Sequence, residues 1–408
     1  MLGFVLNTHQ QWLCRQLADA GYTVSRQVAI ADEGPAIQQA VRESLSRADV
    51  VLVTGGLGPT SDDITRDLIA QLLGRKLHED AAIRARLESF FAQRNRPMPV
   101  NTLLQAQVPN GALILENAHG TAPGLAIEVS PNNFRADAKP SWLIMLPGPP
   151  RELRPMFTQQ ALPLVQKHFP LTEDFVCLTL RTTGMGESVV EEKIAAPLKP
   201  LVSAGLELGY CAHYGEVDVR FVARGGQAKK LVADAEAIVR EELGRHVFGT
   251  QDDQLNAAVV RLLTERKQTL ALAESCTGGY VANRITDVPG ASAVLLAGLV
   301  TYSNEAKQNL LGVRAETLAR HGAVSEPTVR EMAEGARKRM NADYAIAITG
   351  IAGPGGGTPE KPVGTVFIAL ATPKHTFVLN PVNRFDRPTF KQVTCQQALE
   401  LLRRNLLK

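Results

Sequence analysis

The sequence predicts an α/β protein: two α/β domains with mainly parallel sheets, joined by a small α+β module. Three observations carry this expectation. In residues 48–74, ADVVLVTGGLGPTSDDITRDLIAQLLG, a continuous apolar run gives way to glycines and then to apolar residues at every fourth position, the signature of strand, loop and helix. The same succession returns from TLALA (269–273) onward. At 408 residues the chain also exceeds the size at which a single hydrophobic core keeps growing.

In the first domain (1–168), the apolar QVAIA reads as a strand, and Ile37, Val41 and Leu45 line one face of a helix. Val50–Val53 is a buried strand, and Ile64, Leu68 and Leu72 form the packed face of the next helix. SWLIMLPGPPRELRPMF closes the domain with a buried strand and a proline-rich turn. The module (169–250) alternates FVCLTLRTTG, strand-like, with EEKIAAPLKPLV, helical, then EVDVRFVAR and KKLVADAEAIVREELG. FGTQDDQLN reads as a turn-rich connector. The last domain (251–408) sets the strands TLALA, AVLLAGLV, YAIAITG, VGTVFIAL and HTFVLNPV among helices, with PTFKQVTCQQALELLRRNLL closing the chain.

Composition excludes several classes. Hydrophobic residues make up 45% and charged residues 21%, ordinary for a globular protein. A net charge of +3 over 408 residues argues for neither a nucleic-acid nor a membrane partner. Five scattered cysteines fit no zinc site or disulfide framework, so a reducing cytoplasm is the expected compartment. No apolar run approaches the roughly 20 residues of a membrane span.

Seven strings have chemical potential. TGGLGPTSDD (54–63) puts Gly55, Gly56 and Gly58 between strand and helix, where free amides attract phosphate. Its plain reading makes Thr60 a helix cap, with Asp63 completing a capping box and Asp62 complementing the dipole. Asp62 and Asp63 are also the candidates for a divalent cation. HGTAPG, with Gly120, and LPGPP, with Pro147 and Gly148, are turn-forming loops at strand ends. ITGIAGPGGG, with Gly350 and Gly353 among five glycines, is either a nucleotide-facing loop or a mobile surface loop. FDRPTFK carries Arg387 and Lys391, cations suited to a phosphate.

ESCTGG (274–279) is the sixth. Ser275, Cys276 and Thr277 stand where a strand turns into a helix, a geometry that exposes a nucleophile beside amide donors. A serine there is also the commonest helix cap. VTYSNEAK (300–307) supplies Tyr302 and Lys307 at a second such turn, and a lysine of lowered pKa, or one acting through tyrosine, can deprotonate serine. Cys276 would need a histidine, and the nearby sequence offers only His321 in HGAVSEP, which reads as a turn followed by a Ser325 cap. Ser275 therefore ranks above Cys276.

ESCTGG, VTYSNEAK, HGAVSEP and ITGIAGPGGG, in this order and spacing, resemble the CinA C-terminal family, whose activity is that of a nicotinamide-nucleotide amidase. TGGLGPTSDD, GTAPG and LPGPPREL resemble the molybdopterin-binding-like N-terminal domain of full-length CinA proteins, and the module between them is KH-like in that family. The resemblance implies conversion of nicotinamide mononucleotide and water into nicotinic acid mononucleotide and ammonia, without a cofactor. It makes Ser275 the nucleophile assisted by Tyr302 and Lys307, with Thr277, Gly278, Gly279, Gly350, Gly353 and Arg387 binding substrate. In the N-terminal domain it implies a nucleotide or pterin site at Gly55, Gly56, Gly58, Thr60, Asp62, Asp63, Gly120, Pro147 and Gly148.

Two departures qualify the match. The family's first strand and loop, of the type EIISVGTELL, are expected to be missing before VLNTHQQWL, and Phe385 stands where the family often has glycine in GDR. The competing readings are a metal-dependent ADP-ribose pyrophosphatase in the N-terminal domain and a non-catalytic pterin- or nucleotide-binding protein. RTTGMGES contains no GXXG loop, so nucleic acid is not an expected partner. The expected partners are a small nucleotide substrate and, by the common prior for soluble oligomers, a second copy in a homodimer.

Overall fold

In the computed structural model, which describes residues 6–408, the four-residue apolar spacings become helices and the glycine-bounded runs become strands. The expected loss of a first strand concerns residues 1–5 and lies outside the described residues. The chain divides into two units, one ending at Glu173 and one spanning Asp174–Lys408.

The first unit runs α1 (Thr8–Asp19), α2 (Gly34–Leu45), β1 (Val50–Thr54), α3 (Thr65–Leu72), β2 (Leu77–Glu79), α4 (Ala81–Ala92), β3 (Gln107–Pro109), β4 (Ala112–Leu115), β5 (Gly124–Val129), β6 (Ser141–Leu146), α5 (Pro150–Met156) and α6 (Leu162–His168). Its main sheet has the order β1-β6-β5-β4. Only β1 and β6 are parallel; β5 and β4 add antiparallel edges, so the sheet is mixed. All six residues of β6 are buried, as a strand covered on both faces requires. QVAIA is not a strand: Val28 and Ile30 are exposed, and among the described residues the segment joins no ladder. The packed face of α3 is also rotated from the expected one. Ile69 and Ala70 are buried, whereas Leu68 lies against Gly34 at the start of α2.

The second unit begins with β7 (Phe175–Thr183), α7 (Glu187–Ser203), β8 (Glu207–His213), β9 (Glu216–Arg224), α8 (Ala228–Leu243) and β10 (Val247–Thr250). These form an antiparallel sheet of order β10-β7-β9-β8, whose core residues pack with those of α7 and α8. FGT, expected in a connector, belongs to β10, because Phe248 has a core to enter.

The chain continues with α9 (Leu255–Glu265), β11 (Leu270–Glu274), α10 (Tyr280–Thr286), β12 (Leu295–Val300), α11 (Asn304–Leu311), α12 (Ala315–His321), α13 (Glu326–Met340), β13 (Tyr344–Gly350), β14 (Val366–Ala371), β15 (Thr376–Leu379) and α14 (Arg387–Leu406). The sheet order is β12-β11-β13-β14-β15, the first three parallel and the last two antiparallel. Strand β11 alternates its faces. Leu270 and Leu272 enter one core with α9, α10 and α14, while Ala271 and Ala273 enter another with α13. On that second side Gly335 of α13 lies so close to α11 that a Cβ would stand 1.8 Å from the Leu311 carbonyl oxygen. The parallel strands end together, since Glu274 is in register with both Val300 and Ile348. The crevice beyond such carboxyl ends is where open α/β sheets bind ligands.

Candidate active site

Ser275 follows β11 directly, and its amide donates to the Ile348 carbonyl of β13 (3.0 Å). On the other side, the Thr301 amide donates to the Glu274 carbonyl (2.8 Å), fixing the end of β12 against the same turn. Helix α11, capped by Ser303, carries Lys307 back under this edge. Lys307 is 1% exposed. Its Nζ donates to Ser275 Oγ (3.2 Å), the Thr301 carbonyl (2.9 Å) and the Tyr302 carbonyl (3.2 Å). These partners are a hydroxyl and two carbonyls, not a carboxylate, so burial pushes the ammonium pKa below its ordinary value. A buried lysine touching a hydroxyl is the arrangement that yields a neutral amine base and an activated serine.

Ser275 does not cap the following helix. Helix α10 begins only at Tyr280, after Gly278 and Gly279, both in the left-handed region (φ 61° and 89°) that glycine enters freely. Its amides are taken by Glu274, 1% exposed, whose carboxylate accepts from Gly279 (3.0 Å), Val281 (3.1 Å) and Ala282 (2.8 Å). The expectation of free donors at the helix start is corrected accordingly. The free amides lie earlier: those of Cys276 and Thr277 approach the Cys276 sulfur and, among the described residues, are engaged by no protein oxygen. The buried hydroxyls of Thr277 and Thr301 also have no hydrogen-bond partner among the described residues.

Glu274 is the residue that motif reasoning overlooked. Its signal was a single carboxylate ending an apolar strand just before a run of small residues. Glu274→Ala strands three amides, so urea unfolding should show a loss of about 2–3 kcal/mol, with Glu274→Gln intermediate. A variant as stable as the parent would exclude the capping role.

Burial pushes the Cys276 thiol pKa up to about 12. Cys276 packs as a core residue, consistent with ranking it below Ser275. The Tyr302 side chain is 62% exposed, and its hydroxyl accepts from Arg387 (3.0 Å) rather than meeting Ser275 or Lys307. Its link to the lysine is its carbonyl. The same Arg387 donates to the Gly353 carbonyl (2.9 Å), so the ITGIAGPGGG loop, the VTYS turn and the start of α14 are joined at one guanidinium. Gly353 has φ 75°, and a Cβ there would press on Val363. Gly350 serves the sheet: a Cβ would stand 2.7 Å from the Thr365 carbonyl oxygen. Beside these, a pocket of about 420 Å³ is lined by Tyr280, Arg387, Pro388, Thr389, Lys391 and Gln392. The Lys391 ammonium lies 5.7 Å from the Tyr280 ring centre and next to Gly278. HGAVSEP joins the edge too, its Ala323 carbonyl accepting from Thr349 Oγ1 (2.8 Å), while Ser325 caps α13.

In the first unit, the ends of β1 and β6 and the start of β5 lie at one end of the sheet. Three of the strings therefore converge there. Gly55 and Gly56 adopt positive φ (90° and 68°), and Gly55 Cα is within van der Waals reach of Gly148, which follows Pro147. The expected capping box is absent. Helix α3 starts later, at Thr65, and Asp63 instead accepts from the amide (3.0 Å) and hydroxyl of Thr60. A Cβ on Gly58 would strike that carboxylate, and one on Gly120 would strike the buried Glu152 carboxylate. Glu152 accepts from Asn117 Nδ2 (2.7 Å). Asp62 is exposed, and hydrogen bonding by Thr60 holds its carboxyl pKa below the usual range. Among the described residues no group of three or more His, Cys, Asp or Glu side chains is placed to hold a metal ion. Nor is any described helix long and apolar enough to cross a membrane.

The turn between β7 and α7 lies against α14: Gly184 has φ 76°, and a Cβ there would be 2.5 Å from an Arg404 guanidinium nitrogen.

Comparison with known proteins gives three matches along the chain. Residues 252–406 match the family described as CinA C-terminal domain, 1–167 the Probable molybdopterin binding domain, and 178–249 the Damage-inducible protein CinA KH domain. A CinA-like protein of Akkermansia muciniphila is 44% identical over 404 residues, covering 98% of this chain and 93% of its own length. Among solved structures, the competence/damage inducible protein CihA from Agrobacterium tumefaciens is 41% identical and covers 38% of this chain and 94% of that one, with a TM-score of 0.37. The competence damage-inducible protein A (ComA) of Klebsiella pneumoniae is 42% identical over 38% of this chain and 95% of its own, also with a TM-score of 0.37.

Proposed function

This chain belongs to the CinA family of competence/damage-inducible proteins, and from that premise we propose that its C-terminal domain hydrolyses nicotinamide mononucleotide to nicotinic acid mononucleotide and ammonia. The observation that carries the proposal is the buried Lys307 ammonium, without a carboxylate, 3.2 Å from Ser275 Oγ. The neutral amine removes the Ser275 proton as Oγ attacks the carboxamide carbon. The oxyanion that forms faces the amides of Cys276 and Thr277, the unpaired donors of the turn. Collapse breaks the C–N bond, and Lys307 returns its proton to the leaving nitrogen, giving ammonia and an ester on Ser275. A water deprotonated by Lys307 then attacks that ester, releasing the acid and restoring the serine. Every proton transfer is assigned to a side chain of this protein.

The 420 Å³ pocket with Arg387 and Lys391 suits the nucleotide phosphate, two cations at the entrance of one helix being a natural anion site. Tyr302 contributes through its carbonyl on Lys307 and its hydroxyl on Arg387. Ammonia release from nicotinamide mononucleotide by the purified full chain tests the proposal, and no release above the uncatalysed rate would exclude it.

For the first unit we propose ligand binding, of a nucleotide or pterin, at the end of the sheet where Gly55, Gly148 and the Gly120 loop converge. The carboxylate of Asp63 is occupied by Thr60, which favours binding over metal-dependent hydrolysis. Cleavage of ADP-ribose by the full chain with added Mg²⁺ would reverse that preference.

A further inference from the structure

We infer that the middle module is a working part of the amidase site: Tyr214, at the tip of its β8–β9 hairpin, is a positioning residue that holds Arg387 through Phe385. This rests on the amidase assignment above.

The hairpin tip is a two-residue turn, Tyr214–Gly215, with Gly215 at φ 81°. The Tyr214 ring meets the Phe385 ring edge-to-face, with centroids 5.9 Å apart and planes at 72°. Both residues remain nearly half exposed, 48% and 46%, so the ring contact lies at the protein surface. Phe385 lies two residues before Arg387, and the intervening Asp386 caps α14 by accepting from the Thr389 amide (2.9 Å). The ring pair therefore fixes the segment from which the Arg387 guanidinium reaches Tyr302 and Gly353.

The rest of α14 is gripped by the same module. A Cβ on Gly215 would be 3.2 Å from Gln396 Cβ, so the turn lies flat on the helix. Gln396 Nε2 donates to Glu216 Oε1 (2.7 Å), at the base of the hairpin. Near the far end, Arg404 meets His246 Nδ1 (3.0 Å), and Arg403 donates to the Arg245 carbonyl. The first five residues of this helix carry Arg387 and Lys391 into the 420 Å³ pocket, and its later turns are seated on the module. A helix is stiff over this length, so its docking sets where those cations stand.

Because Tyr214 touches neither the serine nor the lysine, its loss should weaken recognition of the phosphate and spare the chemistry. In the full chain, Tyr214→Ala and Phe385→Ala are expected to raise KM for nicotinamide mononucleotide about three- to tenfold, the worth of an aromatic pair, with kcat changed by less than about twofold. KM for nicotinamide riboside, which lacks the phosphate, should be unchanged. Tyr214→Phe, which keeps the ring, should match the parent. An unaltered KM in Tyr214→Ala, or equal rises for both substrates, overturns the inference. Affinity for inorganic phosphate, measured by calorimetry on the same variants, provides an arm independent of turnover. A parent chain that releases no ammonia defeats the amidase assignment, whereas parent-like phosphate affinity in Tyr214→Ala defeats the positioning role.

Discussion

Ser275→Ala is expected to lower ammonia release from nicotinamide mononucleotide by about 10⁴-fold or more while leaving the thermal midpoint within about 2 °C of the parent. The proposed chemistry loses its nucleophile, but the fold loses little. Ser275 Oγ makes one hydrogen bond, to Lys307, and the helix start it might have capped is already served by Glu274. Had Ser275 been a cap, alanine would have cost about 1 kcal/mol and shown in the melt. Cys276→Ala keeps the backbone amide and removes only a thiol whose pKa burial has pushed up to about 12, so most of the turnover should survive. A Ser275→Ala protein with parental turnover, or a Cys276→Ala protein without any, would reassign the nucleophile.

Lys307→Ala should lower kcat/KM by about 10³-fold, the usual worth of a positioned base. Its pH dependence is the sharper check. Burial disfavours the ammonium, so its folded pKa lies below the ordinary 10.5. Below that depressed value the amine is protonated and idle; as pH rises through it, the base form accumulates and kcat/KM climbs. The parent profile should therefore show an acid limb with its midpoint below 10.5, and Lys307→Ala should lose that limb with its rate. The same shift bears on stability. Between the folded and unfolded pKa values the unfolded chain binds the extra proton, so the contribution of Lys307 to stability improves with rising pH across that window. An acid limb retained in Lys307→Ala would assign the titration to another group.

The α/β class was legible because both of its periods are written plainly in the chain. Val50–Thr54 and Leu270–Glu274 are apolar runs closed by glycine-rich turns, and Ile37, Val41 and Leu45 are buried on one face of α2 as their spacing requires. QVAIA misled because an apolar run becomes a strand only where a neighbour offers a ladder, and among the described residues none meets it. The direction of β14 and β15 was not legible either, since a strand's own pattern does not state which way its neighbour runs.

Ser275 and Lys307 could be placed near one another from the sequence because each comes after one of two parallel strands, β11 and β12, which end at one edge. What failed were inferences from nearness along the chain. Thr60 and Asp63 have capping spacing but bond each other ahead of the helix. Tyr302 sits near Lys307 in sequence, yet its hydroxyl finds Arg387. Tyr214 and Phe385 belong to different domains, and no local pattern could pair them.

Ser275, Lys307 and Arg387 are delivered by separate passes of the chain over one sheet: Ser275 follows β11, Lys307 lies on α11 after β12, and Arg387 opens α14 after β15. Contacts of this kind are formed late and slowly, because long loops must close before they are rewarded. The newly made polypeptide therefore carries its serine and lysine apart and unreactive. The chemistry proposed for this edge therefore requires the step that finishes the domain, so ammonia release in an assay would also report that the domain has folded.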